Sequence, residues 1–155
     1  MKCAEWISTC PRMVNLTALS LCYGSGGKDA IGDEDCQLLD CTLMRNLQCL
    51  NLFHIGNRAC KIIANISHLT RLRTLRLPFN TFDNEGLKEL VESSIMANLT
   101  SLDLSHSKQC TNEGFQSLIT SPNITNLKSL NLSRCKVKVQ NHFSIWKNWI
   151  WYTTI

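Results

Sequence analysis

Four histidines and nine cysteines are the residues best equipped for chemistry in this chain of 155 residues. His54, His68, His106 and His142 carry side chains that ordinarily titrate near neutrality. Together with Cys they are the usual zinc ligands, but no two cysteines are spaced as CxxC, so spacing gives a structural zinc site no support. The stretch YGSGGKD, from Tyr23, has the glycines of a phosphate loop. A P-loop requires Gly where Cys22 stands and Ser or Thr where Asp29 stands, so this stretch reads as a flexible loop. Whether the remaining reactive side chains meet depends on the elements that carry them.

Those elements repeat. The frame LxxLxL occurs as LTALSL from Leu16, LQCLNL from Leu47, LRTLRL from Leu72, LTSLDL from Leu99 and LKSLNL from Leu127, with starts 31, 25, 27 and 28 residues apart. A second block follows each of the first four frames: IGDEDCQLL from Ile31, IGNRACKII from Ile55, FDNEGLKEL from Phe82 and CTNEGFQSL from Cys110. A degraded fifth copy, VKVQNHFSI, starts at Val137. Internal periodicity of this length is the mark of a repeat architecture.

In the first block the leucines alternate, so they share one face of a short strand. In the second, Phe82, Gly86 and Leu90, or Ile31, Asp35, Leu38 and Leu39, recur at helical spacing. Asp33, Asp83, Asn84, Thr111 and Asn112 stand where a helix would start and can cap its free N–H groups. Glu34, Glu85 and Glu113 follow in the first turn, where the helix dipole favours them. Strand, turn, helix and return form a crossover long enough for parallel strands. No single unit buries both its leucine face and its helix stripe, whereas stacked units do, so the core grows along a curved solenoid.

The pattern resembles the leucine-rich repeat family, in its ribonuclease-inhibitor-like or cysteine-containing form. The resemblance covers Leu16 to Ile145, and the family's Asn/Cys slot, eight residues after the first Leu, holds Asn80 and Cys135. Gly24, Ile55 and Ser107 fill it in the other repeats. The resemblance implies an α/β solenoid, a right-handed horseshoe with parallel strands on the concave face and helices on the convex face. The expected organisation is an incomplete N-terminal repeat or cap over residues 1–15, five repeats over 16–145, and an aromatic C-terminal cap or tail over 146–155. Cys3, Trp6, Ile7 and Cys10 form a helical apolar stripe in the first segment. WKNWIWYTTI, the last, carries three of the four tryptophans and suits capping, with self-association through this tail as a further expectation.

The repeat register also places the reactive side chains. Cys36 and Cys60 align with Leu87 and Phe115, and Cys110 aligns with Ile31, Ile55 and Phe82, all core positions where Cys acts as a small hydrophobe. With Cys135 in the Asn/Cys slot, a disulfide framework loses its force and a reducing, intracellular, cytoplasmic setting is expected. The sequons at Asn15, Asn65, Asn98, Asn123 and Asn131 follow from a grammar rich in Asn-Leu-Thr and Asn-Leu-Ser. No signal-peptide apolar core follows Met1 and no run is long enough to span a bilayer. His54 and His106 occupy equivalent positions two repeats apart, which separates their backbones by roughly 10 Å at sheet spacing. A shared zinc ion would need their nitrogens within about 4 Å, and Phe79 stands between them. No enzyme, cofactor or metal is expected.

Function is then expected on residues that point outward from the sheet. One column is Ser20, Asn51, Arg76, Asp103 and Asn131; the next is Cys22, Phe53, Pro78, Ser105 and Ser133; the third is Tyr23, His54, Phe79, His106 and Arg134. Leucines already supply the core, so strand packing does not call for rings in the third column. Tyr23, Asn51, Phe53, His54, Arg76, Phe79, Asp103, His106, Asn131 and Arg134 are the expected partner-binding residues, with an interface-like composition. The expected partner is another protein. The net charge of +4 is mild, which disfavours nucleic acid and membrane alike. RNA binding through Arg58, Lys61, Arg71, Arg73 and Arg76 is the weaker rival, because that cluster divides between helix and sheet. Resemblance to cysteine-containing repeats implies one narrower role, the substrate-recognition part of a ubiquitin-ligase (F-box-type) adaptor lacking its docking segment. A second alternative is a regulator or inhibitor of an enzyme held in the concavity. No small-molecule substrate is expected.

Overall fold

The computed structural model describes residues 10–21, 33–136 and 150–152. Six short strands, β1 (Ala18–Leu21), β2 (Cys49–Leu52), β3 (Thr74–Arg76), β4 (Ser101–Asp103), β5 (Ser129–Asn131) and β6 (Ile150–Tyr152), form one sheet in sequence order. Every adjacent pair is parallel. The second Leu of each frame is in register, Leu19 with Leu50, Leu75, Leu102 and Leu130, and from Leu50 onward this column is fully buried. Among the described residues three α-helices return the chain: α1 (Asn57–Ala64), α2 (Asn84–Glu92) and α3 (Asn112–Thr120). They pack side by side and turn Cys60, Ile63, Leu87, Leu90, Phe115 and Leu118 into the same core as the leucines. A Leu→Ala change in this column would cost about 2–5 kcal/mol.

The first return differs from expectation. Asp33–Leu39 is a 3-10 helix, not an α-helix. Two Asp residues weaken its helical preference, and Asp33 Oδ1 accepts from the N–H of Gly56 in the next repeat at 2.7 Å. The frame also does not stop at β5. Ile150, Trp151 and Tyr152 pair with Ser129, Leu130 and Asn131, which gives Trp151 the register of a frame leucine. The stripe through Cys3, Trp6 and Ile7, the glycine-rich loop at Tyr23, the fifth helical block from Val137 and His142 lie outside the described residues.

Adjacent helix starts are tied by a polar ladder. Asn57 Nδ2 donates to Asp83 Oδ1 at 2.9 Å, while the Asp83 N–H donates to Asn57 Oδ1 at 3.0 Å. Asn84 repeats both bonds with Thr111, at 2.8 and 2.9 Å. Asp83 also caps α2 by accepting from the Glu85 N–H. Thr111, at the start of α3, makes no side-chain cap; its hydroxyl accepts from Asn84 instead. The close approach needs glycine at the third helical position, because a Cβ at Gly86 would lie 2.5 Å from Asn57 Oδ1 and one at Gly114 would lie 2.4 Å from Asn84 Oδ1.

Candidate functional site: the ring column on the sheet face

Strands β2 to β5 alternate buried leucines with exposed or half-buried residues, so Asn51, Arg76, Asp103 and Asn131 stand in one outward row. Asn51 Nδ2 donates to Ser20 Oγ at 3.1 Å. Asp103 and Asn131 each turn back on their own strand end, accepting from the N–H of Ser105 at 2.8 Å and of Ser133 at 3.0 Å. Arg76 is exposed and in register with Asp103, yet the two form no ion pair. The Asp103 carboxylate is held by the turn.

Beyond each strand the chain swings off the sheet through one residue in the left-handed region. His54, Phe79, His106 and Arg134 have φ of 58°, 59°, 62° and 58°. For an L-residue this costs about 1–2 kcal/mol, and His is among the few side chains enriched there. The conformation thus accounts in part for the two histidines. It does not account for Phe79, a large apolar residue that is 45% exposed. The turn survives unchanged in repeats with Ile55 or Ser107 in the Asn/Cys slot.

The turn aligns the rings. Phe79 stacks on His106 with centroids 3.8 Å apart at 23°, and His54 lies 6.4 Å from Phe79 at 35°. Phe53 is half-buried beside His54. Burial pushes the His106 pKa down, the positive charges of Arg134 and Lys108 push it further, and Asp103 opposes them. Tyr23 lies outside the described residues, so the column runs from His54 to Arg134.

Asn80, missed in sequence as an energetic element, holds this turn from below. It is buried, accepts from the Ile55 N–H at 2.7 Å and donates to Leu52 O at 3.3 Å. The Cys135 thiol makes the equivalent bond to Leu104 O at 3.1 Å. Ser107, too short to reach across, is fully buried with its hydroxyl unpartnered.

The other reactive side chains disperse. Cys36, Cys60 and Cys110 are buried free thiols, and burial pushes Cys36 and Cys110 up to about 12 and Cys60 higher still. Burial raises Cys135 to about 11. His68 is on the helix side, bonded to Leu39 O at 3.0 Å and 3.6 Å from Asp40. Arg58 and Lys61 line a shallow helix-side cleft of about 590 Å³ with Gln37, Asp40, Ile62 and Asn65. Arg76 is on β3, so the basic cluster does divide. Among the described residues no group of three His, Cys, Asp or Glu could hold a metal ion, and no helix is long and apolar enough to cross a membrane.

A parallel sheet whose β1 to β5 come from LxxLxL frames, with helices in the returns, is the leucine-rich-repeat solenoid. The sequence model described as Leucine Rich repeat matches residues 68–91 and 123–138. Among solved structures, internalin C2 from Listeria monocytogenes str. 4b F2365 is 23% identical over 76% of this chain and 46% of its own, with a TM-score of 0.50. A second internalin (inlF) from that organism is 16% identical over 94% of this chain and 49% of its own, with a TM-score of 0.49. The chain therefore spans about half the length of either structure. No curated protein matches the sequence.

Proposed function

We propose that this is a non-catalytic module that docks another protein on the outward, concave side of its sheet. One observation carries the reading: Phe79 holds a strained left-handed conformation with its ring exposed, where the core gains nothing from it. Strain kept at an exposed ring that adds nothing to the core is a feature of functional positions. Around it, Phe53, His54 and His106 supply ring surface, Arg76 and Arg134 supply charge, and Asn51, Asp103 and Asn131 supply a polar floor. Tyr23 extends the same column in sequence. Leucine-rich-repeat proteins generally work through protein–protein contacts, which fits this use of the face.

The Cys135 bond to Leu104 O supports assigning the repeats to the cysteine-containing type, since a thiol there does what Asn80 does elsewhere. Cys36, Cys60 and Cys110 buried as free thiols favour a reducing, intracellular compartment. A ubiquitin-ligase adaptor arm and an enzyme inhibitor both use such a face, and the identity of the partner separates them. The test is a crosslinked pull-down from cell extract with the intact chain beside Phe53→Ala/Phe79→Ala, both first shown to be folded and monodisperse. Selective loss of a partner by the folded variant supports the reading. Equal capture by both moves the site off the sheet face.

A further inference from the structure

We propose that the occupant of this face is an acidic, extended segment of the partner, its carboxylates meeting Arg76 and Arg134 on either side of the Phe79–His106 stack. The inference rests on the docking reading above and adds the chemistry of what docks.

Charge is sorted between the two sides of the solenoid. Of the ten carboxylate residues in the described segments, nine lie on or beside the helical returns and only Asp103 is on a strand. Asp103 is committed to the Ser105 N–H. Arg76 and Arg134 are exposed, and neither forms an ion pair among the described residues. Lys128, at the foot of β5, and Lys108, close enough to His106 to depress its titration, add to the same side. Among the described residues the strands set one carboxylate, Asp103, against these cations, so the face keeps a positive excess and selects a negative partner, through complementary potential more than through any single pair.

Spacing favours a peptide. Arg76 and Arg134 are two strands apart, roughly 10 Å at sheet spacing, and Arg134 stands three residues beyond Asn131, the residue in Arg76's row, which adds about 10 Å along the strands. An extended chain on the diagonal of about 14 Å covers that distance in about four residues. Carboxylates four apart would therefore reach both guanidiniums, with the residues between them beside the ring stack. A nucleic acid fits less well, because its phosphates form an unbroken line of charge and Asp103 stands in the row between the two arginine-bearing repeats.

The experiment uses the full chain and fluorescence anisotropy. The probe is a labelled peptide of about twelve residues, long enough to cross the described strands, alternating Glu and Ser around one Trp. A matching peptide with Lys for Glu and a single-stranded oligouridylate of equal charge are the comparisons. Two variants carry the same charge change on opposite sides: Arg76→Glu/Arg134→Glu on the sheet and Arg58→Glu/Lys61→Glu on the helices. The expected result is binding of the Glu peptide alone, weakened about tenfold or more by the sheet pair and less than about twofold by the helix pair. Equal weakening by both pairs, tighter binding of the oligouridylate, or no peptide binding overturns the proposal. The sheet pair also goes through the extract pull-down. Capture lost with Phe53→Ala/Phe79→Ala but kept with Arg76→Glu/Arg134→Glu leaves the docking face standing and removes the acidic occupant.

Discussion

Phe79 stacks on His106 of the following repeat with centroids 3.8 Å apart, and both residues sit at φ near 60°. The backbone of this turn suits Asn or Gly better than Phe, so the ring and the conformation pull against each other.

That opposition separates stability from binding. Phe79→Asn loses a ring contact of about 0.5–1.5 kcal/mol and relieves a left-handed strain of similar size. The expected outcome is a urea midpoint near the parent's, with partner binding lost. A large loss of stability would show that the ring belongs to the fold.

Gly86→Ala should destabilise by about 1–3 kcal/mol, through forced shifts of packed neighbours. In an unencumbered helix the same change would stabilise by about 1 kcal/mol. Here the new methyl meets Asn57 Oδ1 at 2.5 Å and Phe82 Cβ at 2.9 Å. Asn57→Ala removes the first of those contacts, so the double variant should recover part of the loss in denaturant titrations.

The slot beneath the turn gives two opposite outcomes. Asn80→Ala leaves the Ile55 N–H and Leu52 O without the partner that now serves both, at about 1–3 kcal/mol for each buried group. Ser107→Asn restores a side chain long enough to cross to the preceding repeat and should raise stability by about 1 kcal/mol. Thermal unfolding of the two variants beside the parent checks both signs.

His106 should titrate below its ordinary value of 6.5, because burial, Arg134 and Lys108 disfavour the imidazolium more than Asp103 favours it. His54 reaches it only across Phe79. With the folded value depressed, the unfolded chain takes the proton first. Stability from this group is therefore intact above pH 6.5 and declines as pH falls through the window below it. An NMR titration reads the midpoint directly, and Arg134→Ala should raise it. No change in that variant would place Arg134 away from the ring.

The repeat frame was legible because each leucine column is a strong local signal, and the register the structure shows is the one the frame implies. The cysteines at core positions followed from the same alignment. The 3-10 character of Asp33–Leu39 was hidden, because Asp33 reads as a cap for its own helix while its carboxylate serves Gly56 across the repeat boundary. The sixth strand was hidden for a different reason: Trp151 has the register of a frame leucine without being one, so a leucine search passes over it. Sequence placed His54, Phe79, His106 and Arg134 in one column. That all four share a left-handed backbone, and that the rings of His54, Phe79 and His106 follow one another, depends on a turn whose conformation leaves no mark in residue type at Phe79.

The docking face itself is tested most directly by photo-crosslinking. A benzophenone analogue of phenylalanine replaces Phe79 on the sheet side in one protein and Lys88, exposed on α2, in another, and both are irradiated in the same extract. The expected result is a discrete crosslinked partner from position 79 and none from position 88. The same partner captured from both, or from position 88 alone, would contradict the assignment of function to the ring column.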